Sequence, residues 1–373
     1  MKIAIIDMDN LKNPFWGAGQ ARATLEVGKR LVALGHDVVV YTSKYPGYRD
    51  YTQDGVKYIH KGIESKYPRL TNLVFLFLIP LIALKIKADV ILENFNAPTS
   101  VSFAPLFTRV PLVGMPTMFE AAEFSKKYHL PFHWVEAWGS KFYRYFLAFS
   151  ESTKSKMQRY NPRVVSRIIP NGVSEEFFDV KTSEGDYILF LGRIDNVQKG
   201  LDLLVEAYSQ VSERLPKLVI AGNGREDNIA ELKAEIKKKN LEHKVQFVGR
   251  VDGEEKVKLL ANCLFGVYPS RFEDFPLIPL EFAAFGKPLV CFDIKGVSWV
   301  PAAVAVKAQS FDVASLSQAL LRVAEDSQLR FAMQKDAKAF ANEYGWNSIA
   351  KQYEDFFQDV IKIDSLREGK IFA

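Results

Sequence analysis

Cysteine is nearly absent from these 373 residues; the two present are Cys263 and Cys291. Both lie in or beside apolar, strand-like runs, which favours buried free thiols over a disulfide framework. Histidine is also scarce, five scattered residues without metal-ligand spacing. No apolar run approaches the roughly 20 residues that a membrane-spanning helix needs. The longest, LVFLFLIPLIAL at 73–84, contains Pro80 and by its length is not expected to cross a bilayer. The start, MKIAIIDMD, has one lysine followed by a strand-like run rather than the pattern of a secretory signal. A cytoplasmic location is the resulting expectation. Internal repeats of 20–50 residues and low-complexity tracts are missing. So are RNA-binding motifs and any dense basic stripe, so nucleic acid is not an expected partner.

What is present is ordinary globular material, 48% hydrophobic and 25% charged, long enough for two domains with separate cores. The net charge of +5 is unevenly placed: through Val180 the chain has 23 Lys and Arg against 16 Asp and Glu, or +7, and the remainder is −2. Strand-like and helix-like stretches alternate. KIAIID, DVVVYT, ADVILEN, VPLVGMP and YFLAFSES supply the strands of a first series. After a polar stretch at 174–186, YILFLGR, KLVIAGNG, KVQFVGR and FGVYPS supply those of a second. Such alternation predicts parallel strands joined by helical crossovers, hence two doubly wound α/β units. The boundary is placed at 175, giving domains 1–175 and 176–345. The stretch from 312 to 357 reads as helical.

Two stretches carry chemistry. In FLGRIDNVQKG (190–200) a strand delivers Gly192 and Arg193, and Lys199-Gly200 open the next helix. An arginine, a lysine and a helix N-terminus at one strand end form an anion site, because exposed N–H groups and the helix dipole favour negative charge. Arginine can fork onto two phosphate oxygens, whereas lysine offers a mobile point charge. Two solvated basic loop residues are the ordinary alternative. In FGVYPSRFEDFPLIPLEFAAFGKPLVC (265–291), Glu273 lies on a loop beyond a strand and Glu281 inside the helix that follows, with seven residues between them. In open parallel sheets that edge is where ligands bind. Glu281 could equally be a helix-face carboxylate paired with a nearby base; its apolar neighbours require some partner.

Together these blocks resemble the retaining nucleotide-sugar glycosyltransferases of the GT-B fold, glycosyltransferase family 4 in particular. The likeness rests on Gly-Arg-x5-Lys-Gly, Pro-Ser, Glu-x7-Glu and Ala-x-Gly-Lys-Pro. It implies two Rossmann-like, doubly wound parallel-sheet domains facing a central cleft, the first binding the acceptor and the second the nucleotide-sugar donor. The last helix, 346–373, would pack back on the first domain. By the resemblance, Arg193 and Lys199 hold the donor diphosphate as it leaves, Glu273 lies against the transferred sugar, and Glu281 accepts from the ribose hydroxyls. Gly192, backbone groups near Arg250 and Val251, and the N–H groups of Leu277 and Ile278 complete the donor set. Pro276 has no N–H to offer. Gly222-Asn223-Gly224 fits the family's glycine turn, while a nicotinamide fingerprint is incomplete.

In the first half, WGAGQ matches the family's Gly-Gly loop with Ala18 on the first glycine and Gly19 on the second. Gly19 either lets backbone approach phosphate or acceptor, or is a plain turn. Where many members carry a histidine beyond the strand PLVGMP, this chain has Thr117, and the next histidine is His129. No cofactor beyond the nucleotide-sugar co-substrate and no metal is expected, because chain cations can serve the phosphates. The resemblance implies retention of anomeric configuration.

Basic residues flank the apolar run between Lys57 and Lys87. A second mixed segment sets Lys126, Lys127, Lys141 and Arg144 among Trp134, Trp138, Phe142, Tyr143 and Tyr145. This suits an anionic membrane surface and a lipid-linked or cell-surface glycan acceptor, with the protein peripheral on the inner face of the membrane. A buried crossover helix and core aromatics are the alternative. Two other functions keep the fold: a non-catalytic sugar-nucleotide-binding protein and a sugar-nucleotide epimerase. Donor base, sugar, linkage and oligomeric state are not legible.

Overall fold

The computed structural model describes residues 1–14, 19–95, 101–117, 119, 121–367 and 369. They form two compact units, one of Met1–Asn171 and Trp346–Ala373, the other of Gly172–Gly345. Positions 16–18 of the WGAGQ loop, Ala18 included, lie outside the described residues.

The first unit runs β1 (Lys2–Ile6), α1 (Gly19–Ala33), β2 (Asp37–Ser43), β3 (Tyr51–Gln53), β4 (Val56–Lys61), α2 (Pro68–Lys85), β5 (Val90–Phe95), β6 (Leu112–Pro116), α3 (Ala121–Tyr128), α4 (Phe132–Gly139), β7 (Tyr145–Ala148), α5 (Glu151–Tyr160) and β8 (Val165–Ile168). The strands make one sheet in the order β3-β4-β2-β1-β5-β6-β7-β8. It is parallel except for the antiparallel pair β3–β4, whose turn at Asp54-Gly55 sits at positive φ. Strands β1, β5 and β6 are buried along most of their length and are mainly apolar, as parallel strands covered on both faces are, with Glu93 and Asn94 of β5 as buried polar exceptions.

Helix α2 is longer than its apolar run. The twelve-residue apolar run belongs to an eighteen-residue helix, long and apolar enough by length and composition to cross a membrane. Pro68 opens it, where a missing N–H costs nothing, so the helix starts before the apolar run does. One face, with Phe75, Ile79, Ile82 and Ala83, packs into the core of the unit beside Ile91, Leu112 and Phe146. The opposite face is exposed.

The second unit runs β9 (Tyr187–Leu191), α6 (Leu201–Val211), β10 (Lys217–Ala221), α7 (Glu226–Lys238), β11 (Val245–Gly249), α8 (Gly253–Asn262), β12 (Phe265–Tyr268), α9 (Ile278–Ala284), β13 (Leu289–Phe292), β14 (Ala305–Ala308), α10 (Val313–Glu325) and α11 (Ser327–Asn342). Its parallel sheet has the order β11-β10-β9-β12-β13-β14. The core gathers Phe190, Leu204, Ile220, Phe265, Val290 and Leu320, each burial favourable by roughly 1.5–3 kcal/mol. Buried Lys287 donates to the carbonyls of Ser183 (2.6 Å) and Cys263 (2.7 Å), fastening the segment before β9 to the start of β12. Burial pushes its ammonium pKa down. Cys263 and Cys291 are free buried thiols, each pushed up to about 12 by burial and so chemically quiet at neutral pH.

The chain closes with α12 (Trp346–Arg367), which belongs to the first unit and packs on α1. Glu354 meets His36 Nε2 at 2.9 Å, and Asn347 accepts from Arg30 Nε at 2.7 Å.

Candidate functional site

Strand order determines where a crevice opens in the second unit. From β9 the chain winds outward through β10 and β11, then returns to add β12, β13 and β14 on the other side. The loops leaving β9 and β12 diverge above the carboxyl ends of these two neighbouring strands, the switch point at which open α/β sheets take ligands. Gly192 and Arg193 leave β9 there, and the loop bearing Glu273 leaves β12.

Close backbone approach fixes this edge. A Cβ at Gly222 would stand 1.7 Å from the Gly192 carbonyl oxygen, and one at Gly200 would stand 2.0 Å from that of Pro269. Gly200 also caps α6 at φ 64°, a conformation that favours glycine. Beneath the acidic loop, a Cβ at Gly296 would meet the Glu273 carbonyl oxygen at 2.2 Å.

Lys199 and Glu273 are brought together: the Lys199 ammonium donates to Glu273 Oε1 and, at 3.2 Å, to the Tyr268 hydroxyl. Both side chains of the pair are largely buried, 14% and 13% exposed. Burial, and then the Glu273 charge, push the Tyr268 phenol well above its ordinary pKa, so it stays neutral. Arg193 is half-exposed; it donates to the Gln198 side chain and lies 3.6 Å from Asp195. Its guanidinium is therefore on the same loop as Lys199 but has different partners.

Glu281 stands in the first turn of α9. Its Oε1 accepts from Lys256 Nζ at 2.6 Å, across from α8, and its Oε2 is buried with no hydrogen-bond partner. Leu277 caps α9 and Ile278 begins it, so their N–H groups belong to the turn that has no intrahelical acceptors. Val251 is buried, whereas Arg250 extends outward and pairs with Asp252 at 2.7 Å. The Arg250 side chain is thus engaged with its own turn, and the backbone there follows Gly249, whose carbonyl accepts from Gly222 N–H at 2.7 Å.

The motifs did not reveal Lys256, Tyr268 or Arg271. Arg271 grips Asp202 with both terminal nitrogens at 2.7 and 2.6 Å and donates to the Val197 carbonyl at 2.6 Å, bracing the Arg193–Lys199 loop. A basic residue beside Glu273 was the only available signal; its partner lies 69 positions away.

In the first unit Gly19 begins α1. Thr117 is tied to the end of β5, its N–H donating to Phe95 O at 3.1 Å. His129 occupies a positive-φ turn after α3. One Asp-x-Asp sequence, Asp7-Met8-Asp9, lies just beyond β1. Asp7 is fully buried and accepts from Thr24 (2.5 Å) and Asn94 (2.9 Å), and burial raises its pKa. Of the aromatics read as surface, Trp134 and Trp138 are exposed, while Tyr143 and Tyr145 are buried with their hydroxyls on Glu93 and Asp364. Tyr145 is a core residue because β7 places it in the sheet, and Tyr143, just before β7, turns inward onto Glu93 and Ser102.

Residues 173–340 match the family model of glycosyl transferases group 1, and residues 17–177 match that of glycosyltransferase family 4. A D-inositol 3-phosphate glycosyltransferase of Jonesia denitrificans is 33% identical over 179 residues, 45% of this chain and 41% of its own. The chain spans about half the length of the curated relatives it matches. Among solved structures, sucrose-phosphate synthase from Thermosynechococcus elongatus superposes with a TM-score of 0.81 at 19% identity, covering 97% of this chain and 99% of its own. The Anabaena protein HepE in complex with UDP-glucose superposes with a TM-score of 0.75 at 18% identity, covering 96% and 100%. These structural likenesses establish the fold.

Proposed function

The chain belongs to the GT-B glycosyltransferases of the family 4 type, and from that premise we propose that it moves a sugar from a nucleoside-diphosphate sugar to an acceptor, with retention and without a metal. The observation that carries this reading is the Lys199–Glu273 pair at the switch point of the six-stranded sheet, with Arg193 on the same loop as Lys199 and a buried, half-satisfied Glu281 on the helix beyond. Leaving of the diphosphate develops negative charge, and preorganised cations facing that charge lower the barrier. Lys199, compact and mobile, shifts from Glu273 toward the phosphate; Arg193, on the same loop, exchanges Gln198 for two phosphate oxygens. Glu273, released from full neutralisation, accepts from the sugar hydroxyls. Glu281 accepts from the ribose.

The acceptor is proposed to be a lipid-linked glycan precursor presented at an anionic membrane. Leu70, Leu73, Phe77, Leu81 and Leu84 recur at three and four residues along α2, which makes them one face, and all are at least 44% exposed. Leu81 also borders a cavity of about 330 Å³ with Lys61 and Lys85 at its edge. Neither lysine forms a salt bridge among the described residues. An apolar face beside lysines that form no salt bridge is the chemistry of anionic-lipid docking. Incubation with UDP-, GDP- and ADP-sugars tests the activity: release of nucleoside diphosphate that depends on Lys199 supports it, and no turnover of any donor with any membrane extract contradicts it.

A further inference from the structure

Resting on the nucleotide reading above, we infer that Lys256 is a positioning residue for the ribose subsite, acting through Glu281. Lys256 projects from α8, the helix that follows the Arg250–Val251 turn, and reaches α9 to donate to Glu281 Oε1 at 2.6 Å. The two side chains are 25% and 13% exposed, so the pair is partly withdrawn from water. Only one carboxylate oxygen is used. Oε2 is buried and has no hydrogen-bond partner, an arrangement that folded proteins seldom leave unanswered.

A carboxylate has acceptor capacity on both oxygens. With Oε1 anchored by a lysine, the Glu281 rotamer is fixed and Oε2 is presented in one direction. A vicinal diol, the 2′,3′ pair of a ribose, supplies donors for such an oxygen, and a charged acceptor strengthens those bonds. Lys256 thereby links the turn assigned to the base with the carboxylate assigned to the sugar of the nucleotide. Its consequence is discrimination: ribonucleotides satisfy Oε2 fully, and nucleotides lacking one hydroxyl do not.

The experiment measures dissociation constants by calorimetry for UDP, GDP and ADP, then for the 2′-deoxy counterpart of the tightest. Proteins compared are wild type, Lys256→Met, Lys256→Arg, Glu281→Gln and the Met/Gln double variant, each checked for its melting temperature. Lys256→Met is expected to weaken the ribonucleotide by about tenfold while leaving the deoxynucleotide nearly unchanged, so that the ratio falls toward one. Lys256→Arg is expected to restore much of the ratio, and the double variant to bind no worse than Glu281→Gln. Equal losses for both nucleotides, or an unchanged ratio in Lys256→Met, overturn the inference while leaving the nucleotide reading standing. If the folded wild type binds none of the three nucleotides, the nucleotide reading falls first and the inference with it.

Discussion

The Lys199 ammonium lies between two acceptors, the Glu273 carboxylate and the Tyr268 hydroxyl at 3.2 Å. The ion pair couples a loop from β9 to a loop from β12, and its partners are too buried for solvent to replace either one cheaply. Replacing Lys199 by alanine removes the proposed diphosphate ligand and strands Glu273. The expected result is a loss of roughly 10²–10³-fold in kcat/KM, larger than that of Glu273→Gln, with the double variant less than the sum of the two. Steady-state kinetics on the three proteins check it; additive effects would show that the pair does not act as a unit.

The Gly296 backbone supports the acidic loop from beneath, and an added methyl would stand 2.2 Å from the Glu273 carbonyl oxygen. Gly296→Ala is expected to cost about 1–3 kcal/mol of stability and to displace Glu273. Its kcat should fall more than that of a variant destabilised equally in the core of the same unit. Melting curves paired with kinetics decide between the two.

Glu93 is buried on β5 beside the Tyr143 hydroxyl at 3.0 Å, and burial lifts its pKa from 4.5 to about 7. A carboxyl raised on folding holds its proton more tightly in the native chain. Its contribution is therefore complete below pH 4.5 and lost as pH rises through about 7. Asp7, also raised by burial, acts with the same sign. Glu93→Gln should flatten the decline between pH 5 and pH 8, by an amount on the order of 3 kcal/mol. Parallel melting-temperature profiles for wild type and variant would contradict this.

Phe77 is 73% exposed and Leu81 is 50% exposed on the outer face of α2. Charging both, Phe77→Glu with Leu81→Glu, should reduce binding to phosphatidylglycerol vesicles by at least about tenfold and leave the melting temperature nearly unchanged. Sedimentation with anionic and neutral vesicles measures it, and equal binding of variant and wild type would remove α2 from the docking surface.

The fold was legible because buried parallel strands such as KIAII and YILFL are short, continuous apolar runs separated by helical spacing. The hairpin β3–β4 was not, since YTQ and VKYIHK mix polar and apolar residues on a sheet edge. Helix α2 is longer than its apolar run shows because Pro68, Arg69, Thr71 and Asn72 extend it without adding to the run. At the site, Lys199 and Glu273 could be named from motifs, but their contact depends on β9 and β12 becoming neighbours. Lys256 and Arg271 act across 25 and 69 positions, distances at which no local spacing rule reports a partner.

Thermal stability with nucleotides tests the central claim most directly. Melting temperatures of wild type and Glu281→Ala would be recorded with UDP, GDP, ADP and NAD, each at saturating concentration. One nucleoside diphosphate should stabilise the wild type by about 2.7 kcal/mol at a hundred times its dissociation constant, and the variant far less. A shift with NAD alone, or none with any nucleotide while both proteins are folded, would contradict the assignment of Arg193, Lys199, Glu273 and Glu281 to a sugar-nucleotide site.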